Sequence, residues 1–148
     1  DLSEFRFDHE YLKERYATWS GRFVHFNPDA WSALSRWRPD VVVTTGFNPT
    51  HLVAFAWARR HGAQHVAMTD GTRRSEATLT SLHRALRRHV YARTAAFVGA
   101  SEGSFDLYRS YGVSPSSMAR RPSWSVPALT GRYSTSFWSL TTYTNFSP

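Results

Sequence analysis

The sequence predicts an α/β fold built on a parallel sheet. Two observations carry that expectation: short β-branched or apolar runs begin near positions 41, 65 and 95, and helix-patterned segments fill the gaps between them. Intervals of that length are those of βαβ units, whose right-handed crossovers give parallel strands.

The first run, Val41-Val42-Val43-Thr44-Thr45, is entered through Arg38-Pro39-Asp40 and closed by Gly46. It reads as a strand buried on both faces. Asn48-Pro49 supplies a helix cap and a first-turn proline. The helix from Thr50 to about Arg60 carries Leu52, Val53, Phe55, Ala56 and Trp57, and Gly62 stops it. His65 to Thr69 is the second strand, ending in Asp70-Gly71. A basic helix is expected from about Ser75 to Tyr91, with Leu79, Leu82, Leu86 and Val90 forming its apolar stripe and Arg84, Arg87 and Arg88 lying off it. Ala95 to Gly99 is the third strand. Ser101 caps a third helix, Glu102 to Tyr111, which Gly112 ends.

The opening is less regular. Asn27-Pro28-Asp29 repeats the cap-plus-proline signal before a short helix with Trp31, Leu34 and Trp37. A further helix is expected around Asp8 to Trp19. No strand and glycine-rich turn opens the chain, as they would in a doubly wound domain. The expected sheet is therefore a partial, Rossmann-like one, entered partway through. At 148 residues there is room for one domain. It is assigned to residues 1–121, followed by an irregular tail, 122–148. That tail has 11 Ser or Thr among 27 residues, six aromatics and a single charge, Arg132, with no sustained period. An out-of-frame reading after about Met118 would account for both features; solvent-facing strands are the alternative.

Composition narrows the function classes. The chain is 41% hydrophobic and 16% aromatic, enough for a packed core rather than wholesale disorder. No run approaches the roughly 18 apolar residues of a spanning helix, and the start lacks a signal-peptide pattern, so a cytoplasmic location is expected. With no cysteine, disulfides and thiolate metal sites are excluded. The seven histidines show no ligand spacing, and no metal or cofactor is expected. The net charge of +7 invites a nucleic-acid reading. The excess is local, however: six arginines face one acid, Glu76, between Arg73 and Arg93, and no acid follows Asp106. One basic helix and an unusual tail explain it, and no nucleic-acid partner is expected.

The stretch Arg38 to Thr50 resembles the family 4 (group 1) glycosyltransferases, whose N-terminal domain enters a strand through a Pro-Asp-Val sequence. The helix Ala54-Phe55-Ala56-Trp57-Ala58-Arg59-Arg60-His61-Gly62 is similar to the family's Ala-x-x-Ala-Arg-x-x-Gly pattern. Met68-Thr69-Asp70-Gly71, Ala95 to Ser101 and Tyr111-Gly112-Val113-Ser114-Pro115 follow in the family's order. The resemblance covers about Asn27 to Pro115. It implies one half of a GT-B architecture, the acceptor-side domain of an enzyme that transfers sugar from a nucleotide-sugar to an acceptor hydroxyl. The donor-binding half, with its Glu-x7-Glu motif, does not follow in this sequence, so the chain is expected to be inactive alone. The implied partner is a sugar acceptor, whether glycan, lipid-linked or small molecule. The basic helix offers a peripheral contact with an anionic membrane.

Open α/β sheets bind ligands at the carboxyl ends of their strands. In the first such loop, Gly46, Phe47 and Asn48 are candidate acceptor contacts; a capped turn is the structural alternative. The second holds Thr69, Asp70 and Gly71. A strand-end carboxylate can take the proton of an attacking hydroxyl, and Asp70 is the catalytic candidate; otherwise it is a turn residue. Arg73 and Arg74 could grip anionic groups or be solvated. Glu76 is a further contact or a first-turn acid favoured by the helix dipole. In the third loop, Ser101 and Glu102 are candidates at a helix start, with ordinary capping as the alternative. A non-enzymatic nucleotide- or partner-binding α/β module is the main rival function, and an arginine-helix nucleic-acid binder the lesser one.

Overall fold

A computed structural model of the chain describes residues 10–13, 15–19 and 22–120. The tail 122–148 and the first part of the expected 8–19 helix lie outside the described residues.

The segment expected to be helical up to Trp19 instead ends in a strand. β1 (Tyr16–Trp19) and β2 (Arg22–His25) pair antiparallel, Tyr16 opposite His25 and Trp19 opposite Arg22. Aromatic and β-branched residue types such as Tyr16, Thr18, Phe23 and Val24 favour strands. Helix α1 (Ala30–Trp37) follows Asn27-Pro28-Asp29, but no side chain caps it. Asn27 is buried and its N–H donates instead to Thr50 Oγ1 at 3.0 Å, tying the entry of α1 to the helix beyond. Glu10 accepts from Arg36 and from Trp37 Nε1, anchoring the N-terminal segment on α1.

From there the alternation is as expected. β3 (Val41–Thr44), α2 (Pro49–His61), β4 (Gln64–Thr69), α3 (Ser81–Tyr91), β5 (Ala96–Gly99) and α4 (Glu102–Ser110) follow in order. Asn48 Oδ1 accepts the His51 N–H at 3.0 Å and caps α2, which Gly62 closes at φ 75°. Helix α3 starts six residues later than the expected Ser75. Ser75 is held in a turn, donating its hydroxyl to Thr72 O at 2.8 Å, and the capping side chain is that of Thr80. The apolar stripe differs too: Leu82 is 76% exposed, and Leu86, Val90 and Tyr91 carry the packing.

After α4 a one-turn 3-10 helix, Pro115–Ser117, leads into β6 (Met118–Arg120), a fourth strand that the sequence pattern does not announce. The sheet order is β3-β4-β5-β6, all parallel, with Val42 beside His65, Ala67 beside Phe97, and Phe97 beside Met118. The fold is thus mixed α/β with a four-stranded parallel sheet and flanking helices.

Because the strands step in one direction, right-handed crossovers lay α2, α3 and α4 on the same face. There Phe55, Val90, Tyr91, Phe105 and Tyr108 close over Ala67 and Phe97, while Leu34, Ala54 and Trp57 close over Val42. The Tyr108 hydroxyl, in a fully buried side chain, reaches the Ala67 and Val98 carbonyls at 3.1 Å each. His65 is one of the buried polar residues of this layer. Its Nδ1 meets Thr94 Oγ1 at 2.8 Å and its Nε2 meets Thr44 Oγ1 at 3.0 Å. Thr94 donates its own hydrogen to Val90 O, so Nδ1 carries the imidazole proton and Nε2 accepts from Thr44. Burial, then the nearby His51, lowers the His65 pKa to about 4.

Candidate functional site

The parallel topology delivers the loops after β3, β4 and β5 to one edge of the sheet. The second and third are in contact there. Ala100 N–H donates to Thr69 O at 3.1 Å, and a methyl group on Gly103 would stand 3.0 Å from the Thr72 methyl. Between the first two loops and α3 lies a cavity of about 170 Å³. Thr44, Thr45, Gly46 and Phe47 form one wall, Thr69, Gly71, Ser75 and Glu76 the opposite one, and Arg87, Val90 and Tyr91 of α3 the third.

A part-buried ion pair fixes these walls. Glu76 Oε1 receives Arg87 Nε at 2.6 Å, and Glu76 Oε2 receives the Tyr111 hydroxyl at 2.6 Å. The Glu76 and Arg87 side chains are only 13% and 15% exposed. The guanidinium carbon of Arg87 also lies 4.3 Å from the centre of the Phe47 ring, whose edge meets Tyr91 at a centroid distance of 5.5 Å. Arg87 therefore joins the first loop to the second, and Glu76 extends the link to Tyr111 at the C-cap of α4. A guanidinium suits this task because it can hydrogen-bond in its plane while stacking on an aromatic face. Burial first, then hydrogen bonding to Glu76, pushes the Tyr111 pKa up to about 12. Tyr91 is shifted upward as well, chiefly by burial.

The candidate residues divide. Gly46, Phe47, Thr69, Gly71 and Glu76 all line the cavity. Asp70 sits between two of them and is itself exposed; its carboxylate makes no hydrogen bond or ion pair among the described residues. The turn behind it is set by Thr69 Oγ1, which accepts the Gly71 N–H at 3.0 Å. A side chain at Gly71 would press on that oxygen at 3.1 Å. Glu76 is not a first-turn acid of the basic helix, since α3 begins only at Ser81. Its carboxylate is committed to Arg87 and Tyr111.

Asn48 and Ser101 act as helix caps and do not line the cavity; Ser101 Oγ accepts from the Ser104 N–H at 3.4 Å. Glu102, Arg73 and Arg74 are exposed and also stand outside the cavity wall. Sequence reasoning missed Arg87 and Tyr91 as cavity residues. The available signals were their i, i+4 spacing on one helical face and the presence of a single acid, Glu76, in an arginine-rich stretch.

Near the first loop, His51 is 2% exposed and its ring packs under Gly46, where a methyl group would stand 3.2 Å from Nδ1. Burial lowers the His51 pKa, and a backbone contact with Gly46 partly opposes this. Among the described residues, no group of three His, Asp or Glu side chains is placed to hold a metal ion. None of the described helices is long and apolar enough to cross a membrane.

Comparison with curated proteins found no match, and neither did comparison with solved structures. A family model described as a glycosyl transferase 4-like domain matches residues 8–124, a span that takes in the whole four-stranded sheet and every wall of the cavity. The chain belongs to this family of glycosyltransferases, of the GT-B, family 4 type.

Proposed function

We propose that the chain supplies the acceptor-side half of a nucleotide-sugar-dependent glycosyltransferase and does not catalyse transfer alone. The observation that carries this reading is the pairing, at the carboxyl ends of parallel strands, of a polar cavity with an uncommitted carboxylate beside it. In the reaction the acceptor hydroxyl oxygen attacks the anomeric carbon of the donor. The bond from that carbon to the nucleoside diphosphate breaks, and the diphosphate leaves with the electron pair. Asp70 receives the hydroxyl proton. An exposed carboxylate with no partner among the described residues is free to do so, whereas Glu76 is held by two strong hydrogen bonds.

Gly46, Phe47, Thr69 and Gly71 shape the acceptor wall, and Arg73 and Arg74 meet charge outside it. Asn48 and Ser101 cap the helices that follow their loops rather than touch the acceptor. The reading places the work in the cytoplasm. Exposed Leu82 with Arg84 and Arg88 on α3 supports a peripheral approach to an anionic membrane surface.

Calorimetry of the chain with UDP- and GDP-sugars tests the assignment. The expected outcome is no specific heat of binding, because the donor is held by the other half. A micromolar dissociation constant would instead make the chain a nucleotide-sensing module.

A further inference from the structure

We infer that the cavity behind Phe47 takes an uncharged, hydroxyl-bearing ring, one pyranose unit of the acceptor, and not a phosphate or carboxylate group. The inference rests on the acceptor-side reading and adds the chemical class of what is bound.

Charge accounts for the choice. The lining contains one cation, Arg87, and one anion, Glu76, and they are paired at 2.6 Å. An anion entering this space would gain a guanidinium already neutralised. It would also be pressed against a carboxylate that is 13% exposed and little screened by water. A neutral hydroxyl meets no such penalty.

The unused hydrogen-bonding groups suit hydroxyl oxygens. Arg87 uses only Nε, and its two terminal amino groups make no hydrogen bond among the described residues. The Tyr91 hydroxyl, in a side chain 5% exposed, likewise has no partner among them. Burial raises its pKa, so it stays a neutral donor. Free donors of this kind suit the lone pairs of ring hydroxyls.

The remaining wall is apolar. Phe47, Met68 and Val90 offer surface to the C–H side of a sugar ring. Size agrees: about 170 Å³ is well below the roughly 300–1,000 Å³ of sites for drug-sized ligands, and admits one small ring rather than an oligosaccharide or a nucleotide.

The test uses the full chain, isotopically labelled, with amide signals assigned for Phe47, Gly71 and Glu76. Methyl α-glucopyranoside, methyl α-galactopyranoside and methyl α-mannopyranoside are titrated in parallel with inorganic phosphate and glucose 6-phosphate. At least one neutral glycoside should move all three signals with a dissociation constant of roughly 1–50 mM, the range of a small ligand with few contacts. Phosphate should leave them in place.

Arg87→Lys, which keeps the charge but loses the planar fork, should weaken that glycoside about ten-fold. Should Arg87→Lys fail to fold, Tyr91→Phe keeps the packed ring and should weaken the glycoside about three- to ten-fold. The inference is overturned if phosphate or glucose 6-phosphate moves the three signals at a lower concentration than every neutral glycoside. It is also overturned if no glycoside moves them at about 100 mM, or if the folded variants bind as the parent does. Donor calorimetry separates the two claims. Glycoside in the cavity together with tight nucleotide-sugar binding sinks the acceptor-side reading alone, whereas phosphate in the cavity without donor binding sinks this inference alone.

Discussion

Replacing Glu76 with alanine removes the acceptor shared by Arg87 and Tyr111 and strands a guanidinium that is 15% exposed. An exposed ion pair contributes about 0–1 kcal/mol, whereas breaking a fully buried one costs about 3–5 kcal/mol. At 13% and 15% exposure the pair lies near the buried end, but residual water offsets part of the loss. We expect a destabilisation of about 2–4 kcal/mol. For a domain of this size that corresponds to a Tm fall of roughly 8–16 °C, at about 4 °C per kcal/mol. Thermal unfolding followed by far-UV circular dichroism measures it. A double variant, Glu76→Leu with Arg87→Met, should recover most of the loss, because apolar replacement of both partners removes the stranded charge. A fall below about 2 °C for Glu76→Ala, or no recovery in the double variant, would show that Arg87 does not brace the loops.

The buried His65 should make stability depend on pH. Its pKa is depressed from 6.5 to about 4, so the unfolded chain binds a proton across a window where the folded chain does not. Stability from this group is therefore present above pH 6.5 and lost as pH falls towards 4, by an amount on the order of 3 kcal/mol. His51, also depressed, acts in the same direction. Urea unfolding at about pH 7 and about pH 4.5 tests this, and a pH-independent midpoint would refute it. Asn48→Ala should cost about 1 kcal/mol through loss of the α2 cap, with Asn48→Asp close to neutral. Equal loss in both variants would mean that Asn48 does more than cap.

Local signals made the alternating elements legible. The Val41–Thr44 run, the Asn48-Pro49 start, the Gly62 stop and the Ser101 cap each left a residue type whose backbone preference was decisive. The β1–β2 pair was missed because Tyr16–Trp19 and Arg22–His25 are only four residues each, too short to set a strand period against the charged, helix-compatible residues that precede them. β6 was missed because Met118-Ala119-Arg120 has no strand signature of its own; only pairing with Phe97–Gly99 makes it one. The start of α3 was misread because residues 75–80 are as helix-compatible as residues 81–91. Tertiary contacts set that start at Thr80: Glu76 turns inward to Arg87 and Tyr111. The same fact explains the site. Loop positions at strand ends could be read one by one, but the partner of Glu76 lies 11 residues on and the stacking partner of Phe47 is a helix residue, and neither contact leaves a local pattern.

The proposed chemistry depends on Asp70 receiving the proton of an acceptor held at this edge of the sheet. The decisive measurement is the turnover of Asp70→Asn in an active two-domain enzyme that carries this chain as its acceptor half. Asparagine keeps the size and turn-forming ability of aspartate but cannot take a proton. The turnover rate should fall by roughly 10²-fold or more while the dissociation constant of the nucleotide-sugar stays within about two-fold. A fall of only about two- or three-fold in turnover would make Asp70 a turn residue and contradict the assignment.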